Sequence, residues 1–338
     1  MIAKRKISGP FIALLLGCVL ASAAVDDAEW KHITRDNGLP GMRVQFLQRD
    51  ADSVWVGTLG GLAVFKNGEA TTVLKGEAVW DILPMDEGRH WIGTDKGILR
   101  LERQKTTRSL SGYSVGRIAA FGDDSALAVA DRRDETRLFR FADTKWEPVG
   151  HFAREVVSDL FETPDGKVWM LMEANGVVVA DPDVPPEKWQ RHLQGINVTS
   201  FCRDTEGRVW CGTWGRGIRA YDGEKWEPLL NKEDSTITTI REDGKGHIWA
   251  ATNANGLWQF DGSQWQNCLH KEGSINVLKV PGDGKVYISS QSVCDLRVWT
   301  GKQWSTVLEA PTMFRDIVIG PNKKVWAGNT VTGLYVQK

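Results

Sequence analysis

The stretch Arg208-Val-Trp-Cys-Gly-Thr-Trp-Gly-Arg-Gly-Ile-Arg-Ala-Tyr-Asp-Gly-Glu-Lys-Trp226 reads as two short strands, a tight turn, and an aromatic residue that opens a third. Variants of it recur along the chain: Val54-Trp-Val-Gly-Thr58, His90-Trp-Ile-Gly-Thr94, Val168-Trp-Met170, Ile248-Trp-Ala-Ala-Thr252, Val286-Tyr-Ile288 and Val325-Trp-Ala-Gly328, with Ala126-Leu-Ala-Val129 as a degenerate copy. The anchors Trp55, Trp91, Leu127, Trp169, Trp210, Trp249, Tyr287 and Trp326 lie 36 to 42 residues apart. That period matches a unit of four short strands.

Each unit keeps one internal order. An apolar strand such as Val44 to Gln48 or Ile237 to Arg241 leads into a polar turn, as at Pro164-Asp-Gly166. The anchored strand follows, then a glycine and an aliphatic residue, as at Gly61, Gly97, Gly176, Gly217, Gly256 and Gly333. A hairpin signal such as Asn67-Gly68 or Asp222-Gly223 ends the third strand, and a fourth opens at Trp146, Trp189, Trp226, Trp265 or Trp304. The anchored strands lack alternation of apolar and polar residues, so both of their faces are expected to be covered. Four antiparallel strands per unit, stacked around an axis, make a single all-β, eight-bladed β-propeller over residues 29–338. Since the last unit ends after its third strand, Glu29-Trp-Lys-His-Ile33 is expected to close the ring as its outer strand, with Trp30 in the place of Trp226. The longest irregular insert is 181–187, where Pro185 and Pro186 preclude regular pairing.

Composition agrees with this reading. The chain is 41% hydrophobic and 25% charged, and its 35 Gly and 16 Trp fit many turns between short aromatic strands. A net charge of -1 gives no drive toward nucleic acid or an anionic membrane. Residues 1–24 read as a signal peptide: Lys4, Arg5 and Lys6 precede an apolar run from Phe11 to Leu20 and a small-residue cleavage site at 21–23. Leu15-Leu-Gly-Cys18 also fits a lipoprotein signal with Cys18 lipidated, so both secretion to the periplasm and lipid anchoring stand open. Export makes disulfides admissible for Cys202, Cys211, Cys268 and Cys294. Cys268 and Cys294 fall on one rim of adjacent blades and are the candidate bridge, while Cys202 and Cys211 lie on neighbouring strands either as a pair or as buried thiols.

The combination Asn37-Gly-Leu-Pro40 with Val54-Trp-Val-Gly-Thr-Leu-Gly-Gly-Leu62 resembles the repeat of the two-component regulator propellers, the periplasmic sensor domains of bacterial hybrid histidine kinases. In those sensors more blades, a transmembrane helix and a kinase follow; here none is seen after the repeats. The resemblance therefore implies a free-standing periplasmic binding or accessory module.

In a propeller, the loops between second and third strands share a rim with those leading into each next blade, and a rigid scaffold with variable loops is where binding residues gather. On this sequence that rim carries Arg43, Trp80, Tyr113, Arg132, Arg133, Arg154, Trp214, Arg216, Asn253, Asn255, His270, Lys271 and Arg315. Guanidinium forks suit carboxylate, sulfate or phosphate, and aromatic faces suit sugars or cations. The expectation is non-catalytic recognition of an anionic or glycan-like ligand, or of a protein partner, with solvated loop residues as the plain alternative. A cell-envelope scaffold and a propeller lyase are the competing functions. A lyase needs a base and an electrophile converging at the channel mouth, and no such pair or nucleophile motif is legible. The six histidines show no H-x-H or H-E-x-x-H spacing, so no metal or cofactor is expected.

Overall fold

The repeated anchored segments form strands covered on both faces. Ser53–Thr58, His90–Thr94, Val168–Met172, Val209–Thr213, Ile248–Thr252, Val286–Ser290 and Val325–Asn329 are buried along their whole length. The computed structural model describes residues 29–122, 125–153, 155–230, 236–270 and 273–338. These strands belong to eight four-stranded antiparallel sheets arranged as the blades of a propeller. Blade 1 runs Val44–Asp50, Ser53–Thr58, Gly61–Lys66 and Glu69–Lys75 from the axis outward. The inner strands of blades 2 to 8 are Val79–Pro84, Ser114–Phe121, Val157–Glu162, Val198–Arg203, Ile237–Glu242, Ile275–Lys279 and Phe314–Ile319.

Blade 8 is completed from the other end of the described chain. Its sheet pairs Trp30–Ile33 with Leu334–Gln337, Trp30 lying opposite Gln337 and Ile33 opposite Leu334. Trp226 lies opposite Tyr221 at the matching place in blade 5, so the expected equivalence with Trp30 holds. Trp30 is buried, and its indole N–H donates to the Val307 carbonyl at 2.8 Å on the outer strand of blade 7.

The core is not one mass but a set of seams between blades. Eight clusters of buried apolar residues each join two neighbouring blades. Trp55, for example, packs with Val79 and Ile82 of blade 2, and Trp326 with Val44 and Leu47 of blade 1. Each repeat anchor thus points at the following blade, and burial at about 25 cal/mol per Å² makes these seams the main cohesive contribution. The glycine two residues after the tryptophan permits the approach. A Cβ on Gly212 would lie 2.5 Å from Ile237 Cγ2, and one on Gly328 would lie 2.4 Å from Val44 Cγ1. The threonine that follows ends the strand: the buried Thr58, Thr94, Thr213 and Thr252 hydroxyls donate to the carbonyls of Gly61, Gly97, Gly217 and Gly256 at 2.7–2.9 Å. Each hydroxyl satisfies a buried carbonyl at a turn.

Two local expectations are corrected. Trp189 does not open a strand: it ends the 3-10 turn Pro186–Lys188, and its indole N–H donates to the Asp181 and Val184 carbonyls, so pairing begins at Gln190. Cys268 is a free thiol, so the bridge to Cys294 is not formed; Cys294 Sγ instead lies 3.7 Å from the Gln291 carbonyl. Cys202 and Cys211 are also thiols. Cys202 pairs with Trp210 while Cys211 pairs with Phe201, and burial pushes the Cys202 thiol up to about 12.

Candidate functional site

A repeated backbone bond builds the rim. In blade 1 the Leu59 N–H, at the second-to-third-strand turn, donates to the carbonyl of Arg43, the residue before the inner strand. Asp95 to Ala78, Glu173 to Val156, Trp214 to Asn197, Asn253 to Thr236, Gln291 to Ser274 and Thr330 to Met313 repeat this in blades 2 and 4 to 8. The two loop classes are therefore tied together at one end of the ring.

Every inner strand carries a bulge at its second or third residue, where the pairing register shifts. The bulged residues are Gln45, Trp80, Gly116, Ser158, Thr199, Thr238, Asn276 and Arg315, one per blade at the rim end. A bulge adds an unpaired residue and re-aims its side chain. Thr199, Thr238 and Asn276 use theirs to donate to the Ile237, Ile275 and Phe314 carbonyls of the next inner strand at 2.5–2.6 Å. The residue after the bulge completes the stitching: Asp81 accepts from Ile118 N–H, and Asp316 from Leu47 N–H, both at 2.8 Å. Lys279 lies 2.9 Å from Asp316. Burial raises the carboxyls of Asp81 and Asp159, while the charge on nearby Arg117 opposes the rise.

The expected rim residues fall into two arcs. Arg315, Arg43, Trp80, Tyr113, Arg132 and Arg133 follow one another over blades 8, 1, 2 and 3; Trp214, Arg216, Asn253, Asn255 and His270 occupy blades 5 and 6 and the approach to blade 7. Arg154 and Lys271 lie outside the described residues. Trp80 is half-buried. Tyr113 packs edge-on against Phe139, with the Arg132 guanidinium 5.7 Å above its ring. Trp214 alone of the three aromatics is open to solvent, at 59% exposure.

Sequence reasoning found Trp214 but missed the aliphatic part of this rim. Among the described residues, the exposed large hydrophobics are Leu59, Val156, Trp214, Val293 and Val331, from 36% to 59% exposed, and all five sit on these loops. The signal was available: Leu59 follows the strand-ending Thr58 just as Trp214 follows Thr213, at a position where blade 2 has Asp95 and blade 6 has Asn253.

Charge at the rim is partly spent internally. Arg108 reaches both oxygens of Glu77 at 2.8 Å, Arg191 both oxygens of Glu155 at 2.9 Å, and Arg137 lies 2.7 Å from Glu135. The Arg191 pair holds Glu155 below the usual carboxylate range against partial burial. Arg35, Arg43, Arg216 and Arg315 form no ion pair among the described residues. Two of the histidine–carboxylate pairs, His90–Asp50 at 2.9 Å and His247–Asp243 at 2.7 Å, are on the opposite end of the ring, while His151 shares Glu135 with Arg137 at the rim end of blade 3, at 3.2 Å. A cleft of about 260 Å³ opens on the rim between blades 8 and 1, lined by Arg35, Gly41, Met42, Arg43, Leu59, Gly60 and Val331. Another, of about 350 Å³, lies between blades 2 and 3 and includes Trp91, Arg100 and Phe141.

The two component regulator propeller family model matches residues 192–215, the segment that ends on the exposed loop of blade 5. A photosystem II assembly lipoprotein, Ycf48 of Prochlorococcus marinus, is 24% identical over 153 residues, 42% of this chain and 40% of that protein. Among solved structures, the extracellular domain of a putative one component system from B. thetaiotaomicron superposes with a TM-score of 0.59 at 17% identity over 92% of this chain and 40% of its own. Ycf48 bound to D1 peptide superposes with a TM-score of 0.56 at 12% identity, over 77% of this chain and 91% of its own. This chain thus spans 40% of the length of both the curated relative and the sensor domain.

Proposed function

We propose that this chain is an exported, non-catalytic propeller that binds a polypeptide partner on the rim bearing Trp214. The observation that carries the reading is the segregation to that rim of all five exposed large hydrophobics among the described residues, on a scaffold whose opposite end turns on Asp, Asn and Gly. Scattered single hydrophobics are ordinary on a protein surface, but their confinement to one face marks a contact surface. Trp and Arg are the residue types that anchor such contacts, and Trp214 and Arg216 sit together on one loop. A similar propeller bound to a peptide and others from extracellular sensor regions are consistent with this reading. A glycan reading requires open aromatic faces, and Tyr113 is engaged by Phe139 while Trp80 is half-buried.

The test places a photo-cross-linking amino acid at Trp214 or Val331, and separately at Asp52 or Glu224 on the opposite end, in cells that express the chain naturally. The expected outcome is a discrete polypeptide adduct from the rim positions only. Adducts of equal yield from both ends, or none from the rim, would overturn the reading. Mass spectrometry of the mature N-terminus separates cleavage near residue 24 from lipidation at Cys18.

A further inference from the structure

The cleft between blades 8 and 1 stands at the point where the ring is closed. Its walls come from three separated pieces of chain: the connection 34–43 that leaves the closing strand, the blade 1 turn at Leu59 and Gly60, and the blade 8 turn at Val331. None of these is loosely held. Thr34 and Asn37 cap the 3-10 turn Arg35–Asn37 reciprocally, Leu39 N–H donates to the Thr34 carbonyl at 2.9 Å, and Leu39 is buried. Asn329 Oδ1 accepts from the Val331 and Thr332 amides at 2.9 and 3.0 Å. A Cβ on Gly41 would lie 2.7 Å from Gly60 N, so the floor is bare backbone.

On this frame two exposed guanidinium groups, Arg35 and Arg43, flank the exposed aliphatic side chains Leu59 and Val331, and neither arginine has an ion-pair partner among the described residues. Arg315 lies at the bulge of the adjoining inner strand. At about 260 Å³ the cleft is smaller than the roughly 300–1,000 Å³ of small-molecule sites, so it suits an anchoring side chain rather than a whole ligand. Charge-assisted pairing with guanidinium selects a carboxylate, and the aliphatic wall selects an apolar neighbour.

We propose that this cleft is the anchor subsite for an acidic polypeptide segment in which a carboxylate side chain stands next to a branched aliphatic one. The proposal rests on the polypeptide-binding reading of the rim. Preformed walls lower the ordering cost of such a contact. Because an occupant touches blade 8, blade 1 and the connection between them, it also binds only the closed ring and stabilises closure by mass action.

The test uses fluorescence anisotropy with a labelled peptide of Ser-Glu-Leu-Glu repeats and its Ser-Gln-Leu-Gln counterpart. Saturable binding of the acidic peptide is expected, weakened about tenfold or more in the glutamine peptide and in the double variant Arg35→Gln/Arg43→Gln, the loss of one charge-assisted contact. Leu59→Ser should weaken it as well, while Arg216→Gln should not. The arginines carry no ion pair among the described residues, so unchanged thermal unfolding of the double variant checks that its fold is intact. Equal affinity for the two peptides, equal affinity of wild type and double variant, or no saturable binding overturns the subsite. Cross-linking from Trp214 that persists in the double variant would leave the rim reading standing while removing this one.

Discussion

Trp210 is fully buried and its indole N–H donates to Asp204 at 2.8 Å, whereas Trp214, four residues on, is the most exposed large hydrophobic residue described. Asp204 also accepts from Arg208 Nε at 2.8 Å, and the Arg208 guanidinium lies 5.2 Å from the Trp210 ring. Burial by itself would raise the Asp204 carboxyl, but the bonds from Trp210 and Arg208 overcome it and hold it below its ordinary value. The two tryptophans should respond oppositely to substitution. Trp210→Ala leaves a cavity in the seam between blades 5 and 6 and removes one of the donors to the buried Asp204 carboxylate, at a cost of about 3–5 kcal/mol. Trp214→Ser should change stability by no more than about 0.5 kcal/mol and act on partner binding instead. Denaturant unfolding of both variants checks this, and a large loss from Trp214→Ser would mean that its ring is structural.

At the scale of the strand, the inner ring is where polar chemistry meets close packing. Asp81 receives amide bonds from Ile118 of the next blade and from Ile82, yet burial dominates and lifts its carboxyl from 3.8 to about 6. The folded chain therefore holds this proton more tightly than the unfolded chain. The resulting stabilisation is full below about 3.8 and is lost as pH rises through about 6. A gap of about two pH units corresponds to ~3 kcal/mol. Asp81→Asn removes the titration, so the unfolding free energy of the variant should gain on that of wild type between about pH 4 and 7 and then level off. A difference that stays constant across that range would refute the assignment to Asp81. None of this was visible from the strand pattern, since an acidic residue in Val79-Trp-Asp-Ile82 gives no sign of its register or of the bulge that turns it toward the next blade.

For the whole molecule, closure puts the described ends side by side: Lys338 N–H donates to the Glu29 carbonyl at 2.9 Å. They lie at the end of the ring opposite the rim. Joining 338 to 29 by a short turn completes a hairpin of the same kind as Asp222-Gly223, and opening the chain between Gly262 and Ser263 cuts an exposed turn of that same end. Such a permutant should keep the wild-type circular dichroism spectrum and a melting temperature within a few degrees. Deleting 29–33 instead bares the edge of Leu334–Gln337 and removes the Trp30 contact with blade 7, and should give aggregation or a much lower melting temperature. Equal stability of the deletion and the intact chain would show that closure contributes little.

The sequence by itself determined the number of blades, their order and the strand that closes them. Those features repeat locally: a tryptophan facing the next blade, a glycine that lets it approach and a threonine that ends the strand recur at one period. It also located the rim, because loop position follows from strand order. Only the tertiary structure decided which rim residues lie together. Arg43 and Leu59 meet Val331 because the ring brings distant parts of the chain to one seam, and Tyr113 is withdrawn by a contact with Phe139 that no spacing encodes. Cys268 and Cys294 shared a rim on paper but remain unbridged, since proximity of loops sets no Cβ direction. Repetition encodes what every blade has in common, and a binding surface is made of the places where blades differ.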